Sequence, residues 1–505
     1  MTNPPPAPRL QFADDTFLRR HRGGAPTVNQ VLWRLDGPYD ADRLRELADG
    51  IAAGALHRRV VRRLVPGARH RWAPADTLPV LELQTAAVAK DRIGGWAQAQ
   101  ADVALDPDEG RSWRLSAADV VAVTAGSKDR QAGVIGGIVS LTCTRAVADE
   151  AALIDAVVRA STHADPIVLP RPERGARAVL ADTADAARQL ASVGRWARAR
   201  ARRLASATRT AIRVRLAARI APADGPGIAA GASTSPAHTA PAHTGFTPRL
   251  ALPPGGFAPV AGVAPNAART TVRAPAVIDA GWRAPVLHVE VPADRVAQTA
   301  ADHGGTPHTW FITFLARLVH ATGRLAGEPV PVALPVPIRG SGHRRADSSE
   351  VARITVPADV LALRDLGWVR AAAKEAYSTL GQTGPGVPPV PPELVQMLPD
   401  AIVRRLPRPP AATVLASDLG ASPDGYVQAP GGSVRAVTML SSSQGASAAE
   451  LRAAGGGLVA FCTTVGRTTM LSIAAPDPDR VADVDTLRDL VLAEAAVWKL
   501  PAVSW

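Results

Sequence analysis

The chain has 505 residues, of which 47% are hydrophobic and 20% are charged, and its formal net charge is +12. This length is enough for two to four domains with sizeable cores, and the composition is typical of a globular protein. No apolar run reaches the roughly 18 residues that span a bilayer, and the first residues lack the charged and apolar regions of a secretory signal. We therefore expect a cytoplasmic protein.

Nearly all of the positive charge comes from arginine, and the isoelectric point is about 10.8. Such a balance is typical of proteins that bind nucleic acid, anionic lipid or phosphate-bearing ligands, or it reflects a general preference for arginine over lysine. No zinc finger, helix-turn-helix or aromatic RNA-binding motif is present, so we expect no nucleic-acid partner. The two cysteines, Cys143 and Cys462, are too few for a disulfide framework, and we expect both to be buried.

The first part of the chain alternates strand and helix patterns. Residues 28–35 are rich in β-branched and aromatic side chains, which predicts a strand. A turn follows, and Asp40 is placed to cap a helix over 43–53. Residues 57–63 and 69–72 then predict a hairpin.

The most informative stretch is 134–159. An apolar strand pattern ends in Cys143-Thr144-Arg145, and a helix pattern over 151–159 follows Asp149 and Glu150. The sequence therefore predicts a strand, a short polar turn and a helix at this point.

The middle of the chain is basic and then low in complexity. Residues 186–222 contain ten arginines and no acidic residue, which predicts an amphipathic helix. Such a helix suits an anionic membrane surface or an acidic carrier partner, or it is an ordinary helix with a solvated face. Residues 221–268 predict a flexible linker. Its His238 and His243 lack neighbouring thiols or carboxylates, so we expect no metal site.

A second folded part begins near residue 270 and repeats the mixture of strands and helices. A strand pattern covers 286–291, and paired strands are predicted within 457–473. Helix patterns cover 296–301 and 481–498.

The strand, turn and helix at 134–159 resemble the signature region of the condensation-domain and acyl-CoA-dependent acyltransferase superfamily, which includes wax-ester synthases and polyketide-associated acyltransferases. That signature reads His-His-x-x-x-Asp-Gly. Thr144 and Arg145 stand at its histidine positions, Asp149 at the aspartate and Glu150 at the glycine. In the family the second histidine is the catalytic base, so the resemblance implies a kept scaffold with a lost base.

Further segments resemble the family in chain order: an opening at 14–17, a strand at 112–115, a helix start at 306–310, and strands at 332–339 and 412–420. His308 stands near a family asparagine, and Asp418, after Ser417, replaces another. The resemblance implies an α/β fold with two chloramphenicol-acetyltransferase-like lobes in a V-shaped pseudo-dimer. We divide the chain into a first lobe, a basic helical connection, a linker and a second lobe, at 1–165, 166–220, 221–268 and 269–505.

The resemblance implies transfer of an acyl group from a CoA or carrier-protein thioester to an alcohol or amine, with no permanently bound cofactor. The wax-ester synthase branch also implies peripheral membrane contact through 186–222. Arginine stays protonated, so Arg145 cannot replace the histidine base. It could hold a carboxylate, a phosphate or an oxyanion, or it could pair with Asp149 in a structural contact.

Other groups could supply a base. Cys143 points to the same side as Arg145, which would lower the pKa of the thiol. His308 and His343 could face the central channel, which Ser417 and Asp418 would also line, and Glu150 is a carboxylate within the turn. Two hypotheses follow: an acyltransferase with a replaced base, or an inactive relative that binds an acyl chain, a carrier or a partner.

Overall fold

Two β-sheets, each covered by helices, organise the residues that the computed structural model describes. These residues are 7–122, 133–220, 282–338, 345–380, 390–403, 405–406 and 412–505, with side chains described to residue 206 in the long connecting helix. The predicted linker at 221–268 and His343 lie outside these ranges.

The strands of the described residues are β1 Thr27–Leu35, β2 Arg58–Val61, β3 Arg71–Pro74, β4 Val80–Leu83, β5 Val88–Ala89, β6 Trp113–Val121, β7 Val134–Thr144, β8 Val286–Pro292, β9 Val330–Pro337, β10 Ser349–Val356, β11 Val414–Ala421, β12 Val434–Ser443, β13 Leu458–Val465, β14 Thr468–Ala474 and β15 Val503–Ser504. The helices are α1 Phe12–Arg22, α2 Ala41–Ala53, α3 Ile93–Ala101, α4 Glu150–Ser161, α5 Gly175–Ile220, α6 Ala293–Asp302, α7 Pro307–Ala321, α8 Ala358–Leu363, α9 Leu366–Ser378, α10 Pro392–Met397, α11 Asp400–Val403, α12 Asp424–Val427, α13 Ala448–Ala453 and α14 Val484–Val497.

The first sheet has the order β12-β1-β7-β6-β4, with β5 also paired to β6. Helices α2 and α4 bury their apolar faces on this lobe through Leu44, Leu47 and Leu153. Asp40 caps α2 as predicted, because its side chain accepts hydrogen bonds from the backbone of Asp42 and Arg43. The far part of β7 is buried on both faces, which places its C-terminal end inside the protein.

The second sheet has the order β10-β9-β11-β13-β14-β8-β15. Helix α7 is buried nearly all round, with Trp310, Phe311 and Phe314 in the core of this lobe. Such a helix belongs inside a domain rather than at its surface. The structure therefore has the two lobes that the sequence predicts.

One strand crosses between the lobes. Strand β12 belongs to the second part of the chain by sequence, yet it pairs with β1 along its whole length, from Thr27 opposite Ser443 onwards. Helix α12 precedes it and places Tyr426 against Trp33, whose Nε1 donates to the Tyr426 carbonyl oxygen at 2.9 Å. The first lobe is thus completed by residues from beyond position 269, which the sequence division did not indicate.

The basic connection forms one helix, α5, which starts earlier than predicted. Its first turns bind the first lobe: Asp182 pairs with Arg9 and Arg71, and Asp185 pairs with Arg69. Farther along, Leu190 and Leu204 are exposed, so the apolar stripe does not pack into a core there. Among the described residues, no helix has both the length and the apolar character needed to cross a membrane.

A short segment before β10, residues 346–349, joins the second lobe to the first. The backbone N–H of Asp149 donates to the Ala346 carbonyl at 2.8 Å, and the Ser348 N–H donates to Asp149 Oδ2 at 2.7 Å. The Asp347 N–H donates to Asp14 Oδ1 at 3.0 Å. We call this group of Asp14, Asp149 and 346–349 the lobe joint.

Asp14 is the most constrained carboxylate of the joint. Its Oδ2 accepts hydrogen bonds from the Gln11 N–H at 3.0 Å and from Trp72 Nε1 at 3.2 Å. Burial is the main influence on this group, and it raises the pKa of Asp14 to about 6. Ionised Asp14 therefore opposes folding at neutral pH, even though its oxygens are well hydrogen-bonded.

This raised pKa predicts how stability depends on pH. The folded state holds the Asp14 proton more tightly than the unfolded state does. This difference stabilises the folded state at pH 4, and the stabilisation is lost as pH rises through 6. The loss amounts to roughly 3 kcal/mol. Asp14→Asn removes the titration, so the unfolding free energies of wild type and variant, measured by urea at pH 4.5 to 7.5, should change differently with pH. The exposed Asp49→Asn is the control, and parallel profiles for wild type and Asp14→Asn would contradict the assignment.

Candidate active site

Arg145, which the sequence resemblance places at a catalytic histidine, lies between the two lobes in a set of ionic contacts. It directly follows β7 and is only 7% exposed. One guanidinium nitrogen, Nη1, lies 2.9 Å from Asp347 Oδ2, and Nη2 lies 3.5 Å from Glu150 Oε2. The guanidinium carbon also lies 4.8 Å from the ring centroid of Phe17, which is a cation–π contact.

These contacts keep Arg145 charged and occupied. Burial alone would lower the pKa of its guanidinium, but the carboxylates of Glu150, Asp347 and Asp149 raise it. The side chain is therefore a permanent cation with carboxylate partners from both lobes. The role of Arg145 as an electrostatic group for substrate stays a prediction, and the guanidinium already has Glu150 and Asp347 within ion-pair distance.

Asp149 has a structural position. Its Oδ1 accepts a hydrogen bond from the Ala152 N–H at 2.7 Å, which caps α4. Its Oδ2 accepts from the Ser348 N–H across the lobe joint. The carboxylates in ion-pair contact with Arg145 are Glu150 and Asp347, so the predicted partner of Arg145 was the wrong one.

Glu150 and Thr144 are the two remaining residues at the signature positions that the resemblance assigns. Glu150 is the first residue of α4, where the backbone is helical, and its Oε1 accepts from Ser441 Oγ at 3.4 Å. A glutamate fits here because this turn needs no left-handed backbone at that position. Thr144 is buried at the end of β7, and no hydrogen-bond partner of its hydroxyl is found among the described residues.

The predicted activation of Cys143 is wrong. Its side chain is fully buried in the core of the first lobe. Burial raises the pKa of this thiol to about 12, and this exceeds the lowering by Arg58 and Arg145. A thiol in this state is a poor nucleophile at neutral pH, so Cys143 is a packing residue.

A second group, in the second lobe, has the parts of an acid–base site. His308 Nδ1 lies 2.9 Å from Asp418 Oδ2, and His308 Nε2 lies 2.7 Å from the Tyr377 hydroxyl oxygen. The side chains of His308 and Asp418 are 30% and 19% exposed. We call these three residues the His308 triad, and they are held firmly while remaining accessible from solvent.

Local structure explains each position in the triad. His308 is in the first turn of α7, which Thr306 caps. Along β11, Val414 and Ala416 face the core of the second lobe, and alternation places Asp418 on the same side, against α7. Tyr377 comes from the last turn of α9, which packs on α7.

The triad unites two departures from the family pattern. His308 and Asp418 each stand where the resemblance expects an asparagine, and they are 110 residues apart in sequence. Ser417, predicted with them, is buried and lies on the opposite face of β11. Tyr377 was not predicted, because its contact with His308 depends on how α9 packs on α7.

The contacts of the triad suit one arrangement of protons. Burial, with Asp418 second, raises the pKa of Tyr377 to about 12, so the tyrosine is a phenol at neutral pH. With a neutral imidazole, the phenol donates to Nε2 and the ring proton on Nδ1 faces the Asp418 carboxylate. This arrangement orients one imidazole tautomer for proton transfer.

The ionic surroundings of Arg145 predict a large loss of stability on its removal. Arg145→Ala leaves the buried Asp347 and the half-buried Glu150 without their cationic partner, at a cost of about 3–5 kcal/mol. Urea denaturation should show this loss, whereas Arg195→Ala on the exposed part of α5 should change the unfolding free energy by no more than about 0.5 kcal/mol. Equal stability of Arg145→Ala and wild type would exclude the structural role.

Comparison with known proteins identifies the fold. No protein-family model matches the chain, and no curated protein matches it. Polyketide synthase associated protein 5 from Mycobacterium tuberculosis is 11% identical, with a TM-score of 0.50 over 99% of each chain.

Two further solved structures align over nearly the full length. The wax ester synthase/diacylglycerol acyltransferase from Marinobacter aquaeolei VT8 is 12% identical, with a TM-score of 0.48 over 97% of this chain and 100% of that one. The condensation domain of the Monacolin K polyketide synthase MokA is also 12% identical, with a TM-score of 0.48 over 97% and 96%. The likeness to polyketide synthase associated protein 5 shows a shared fold, and the structure itself has the two-lobed α/β architecture that the sequence predicted.

Proposed function

We propose that this protein transfers an acyl group from a thioester to a hydroxyl or amine acceptor, with His308 as the base. The observation that carries this proposal is the placement of the His308 imidazole between a carboxylate at 2.9 Å and a phenol at 2.7 Å. Arg145 has no free role in such a reaction, because it is buried among its ion-pair partners.

The triad can move the proton that acyl transfer requires. The acceptor gives its O–H or N–H proton to the Tyr377 oxygen as the Tyr377 proton passes to His308 Nε2. The acceptor atom then bonds to the carbonyl carbon of the thioester, and the C–S bond breaks. The imidazolium returns its proton through Tyr377 to the departing thiolate, which leaves as a thiol.

Each member of the triad has a distinct part in this scheme. Asp418 holds the Nδ1 proton and stabilises the imidazolium that forms during the reaction. Because the pKa of Tyr377 is raised, a free phenolate is unfavourable and both protons must move together. The donor is an acyl-CoA or an acyl group on a carrier protein, as the resemblance implies.

His308→Gln tests the base directly. This change removes the proton acceptor and should lower kcat by about 10²–10⁴-fold with little change in KM, because general base catalysis contributes on that order. Thiol release from a panel of acyl-CoA donors, with alcohol and amine acceptors, measures the rate. Asp418→Asn should lower kcat in the same direction, since it removes the charge that stabilises the imidazolium.

Matched variants separate the triad from general damage. His320 lies on the same helix as His308, and its Nε2 lies 2.9 Å from the Glu328 carbonyl oxygen rather than near a carboxylate. The kcat of His320→Gln should therefore equal that of wild type. Tyr377→Phe should reduce kcat as His308→Gln does if the phenol relays the proton. Wild-type kcat in His308→Gln would refute the assignment of the base.

A second candidate function is binding without catalysis, and the occupied guanidinium of Arg145 favours it. A protein whose Arg145 is held by carboxylates of both lobes could still offer a surface for an acyl chain or a carrier partner. This function predicts binding of a non-hydrolysable thioether analogue of acyl-CoA in calorimetry, together with no thiol release from any donor. Measurable turnover that depends on His308 would exclude it.

A further inference from the structure

The distal part of α5, residues 187–206, carries an apolar face that is open to solvent. Its members are spaced alternately four and three residues apart, which places them on one side of the helix. They are Leu190, Gly194, Ala197, Ala201 and Leu204, and the two leucines are 58% and 60% exposed. We call these five residues the α5 face.

The body of the protein contacts a different side of this helix. Asp182 and Asp185 bind arginines of the first lobe, Gln189 is buried, and Ser192 Oγ donates to Glu393 Oε1 at 2.8 Å. The four α5 residues in these contacts follow a helical spacing of their own. The α5 face is therefore not the side by which the helix is anchored.

Arginines flank the α5 face on both sides. Residues 187–206 contain six arginines and no acidic residue. Helical spacing puts Arg195, Arg198 and Arg202 along one edge of the face and Arg200 beside the other. A surface with this charge attracts an anionic partner, and it repels a second copy of this chain, because the second copy would bring the same arginines.

The side chains of the α5 face favour a protein helix over a membrane as that partner. Helices that lie on membranes carry bulky leucine, phenylalanine or tryptophan on the apolar side, whereas the centre of the α5 face is Gly194, Ala197 and Ala201. Trp196 lies off this face, with its ring centroid 5.8 Å from the guanidinium carbon of Arg200. Small residues bury little apolar area in lipid, but they let the axis of a second helix come close.

We propose that the α5 face binds an acidic amphipathic helix of a partner protein. The partner's apolar residues would pack on Gly194, Ala197 and Ala201, between the two leucines, and its carboxylates would meet the flanking arginines. Residues at this spacing form a continuous seam along both helices. The surface is independent of the proposed acyl transfer.

Fluorescence anisotropy of the full chain with a labelled peptide tests the proposal. The peptide has about 20 residues, which matches the ~30 Å length of this part of α5, with leucines at helical spacing and glutamates elsewhere. It should bind, and binding should weaken as salt is added. A permuted peptide of the same composition, without the helical spacing of leucines, should not bind. Equal binding of both peptides would show attraction by charge alone and would overturn the proposal.

A substitution in the centre of the face separates a helix from a membrane. Ala197→Leu should weaken the amphipathic peptide about tenfold, because a larger side chain keeps the two helix axes apart. The same change adds apolar area, so it should strengthen any binding to phosphatidylcholine vesicles that contain phosphatidylglycerol. Ala199→Leu, on the opposite side of α5, is the matched control and should bind the peptide as wild type does.

Other occupants of the face give distinct results. Vesicle binding that Ala197→Leu strengthens, without peptide binding, would overturn the proposal in favour of a membrane. A wild-type dimer in sedimentation that Ala197→Leu dissociates would overturn it in favour of a second copy. Arg198→Glu is a second variant in case Ala197→Leu unfolds, and it should also weaken the peptide about tenfold. Its control is Arg295→Glu, at an exposed position of α6, and equal weakening by both would refute the site.

Discussion

The two lobes meet around one buried guanidinium. Arg145 lies between Glu150, which opens α4 of the first lobe, and Asp347, from the segment that leads into the second sheet. Asp149 and Asp14 bind the backbone of that same segment. A cation with carboxylates from both lobes fixes their relative position, and it is difficult to replace because each partner alone would be a buried, uncompensated charge. In the described residues Arg145 is therefore part of the scaffold between the lobes.

The first lobe lacks the histidine that the resemblance expects, and the second lobe has a histidine and an aspartate that the resemblance does not expect. His308 and Asp418 each depart from the pattern that the resemblance implies, and taken one at a time they suggest decay of that pattern. In the structure they contact each other, and Tyr377 completes the hydrogen bonding of the imidazole. Two independent losses would not be expected to form a charge-assisted contact. The proposed acid–base function rests on this contact.

Local patterns in the sequence predicted much of the fold. The strand at β1, the Asp40 cap of α2, the β2–β3 hairpin and the order of elements in the second lobe all follow from periodicity and capping. Partners that depend on tertiary packing were not predictable in this way. Asp347 next to Arg145, and Tyr377 next to His308, come from elements whose own sequences indicate nothing about a site. Burial likewise reversed the predicted effect of Arg145 on Cys143, because desolvation exceeds the influence of a nearby charge.

The pairing of β12 with β1 in the first sheet has a consequence for synthesis of the chain. Asn29 on β1 and Ser441 on β12 form a side-chain contact across 412 residues of sequence. Until the ribosome has released the chain beyond position 443, the outer edge of β1 has no strand to pair with. An unpaired edge of this kind attracts other nascent chains. The N-terminal half made alone would therefore be prone to aggregate through this edge.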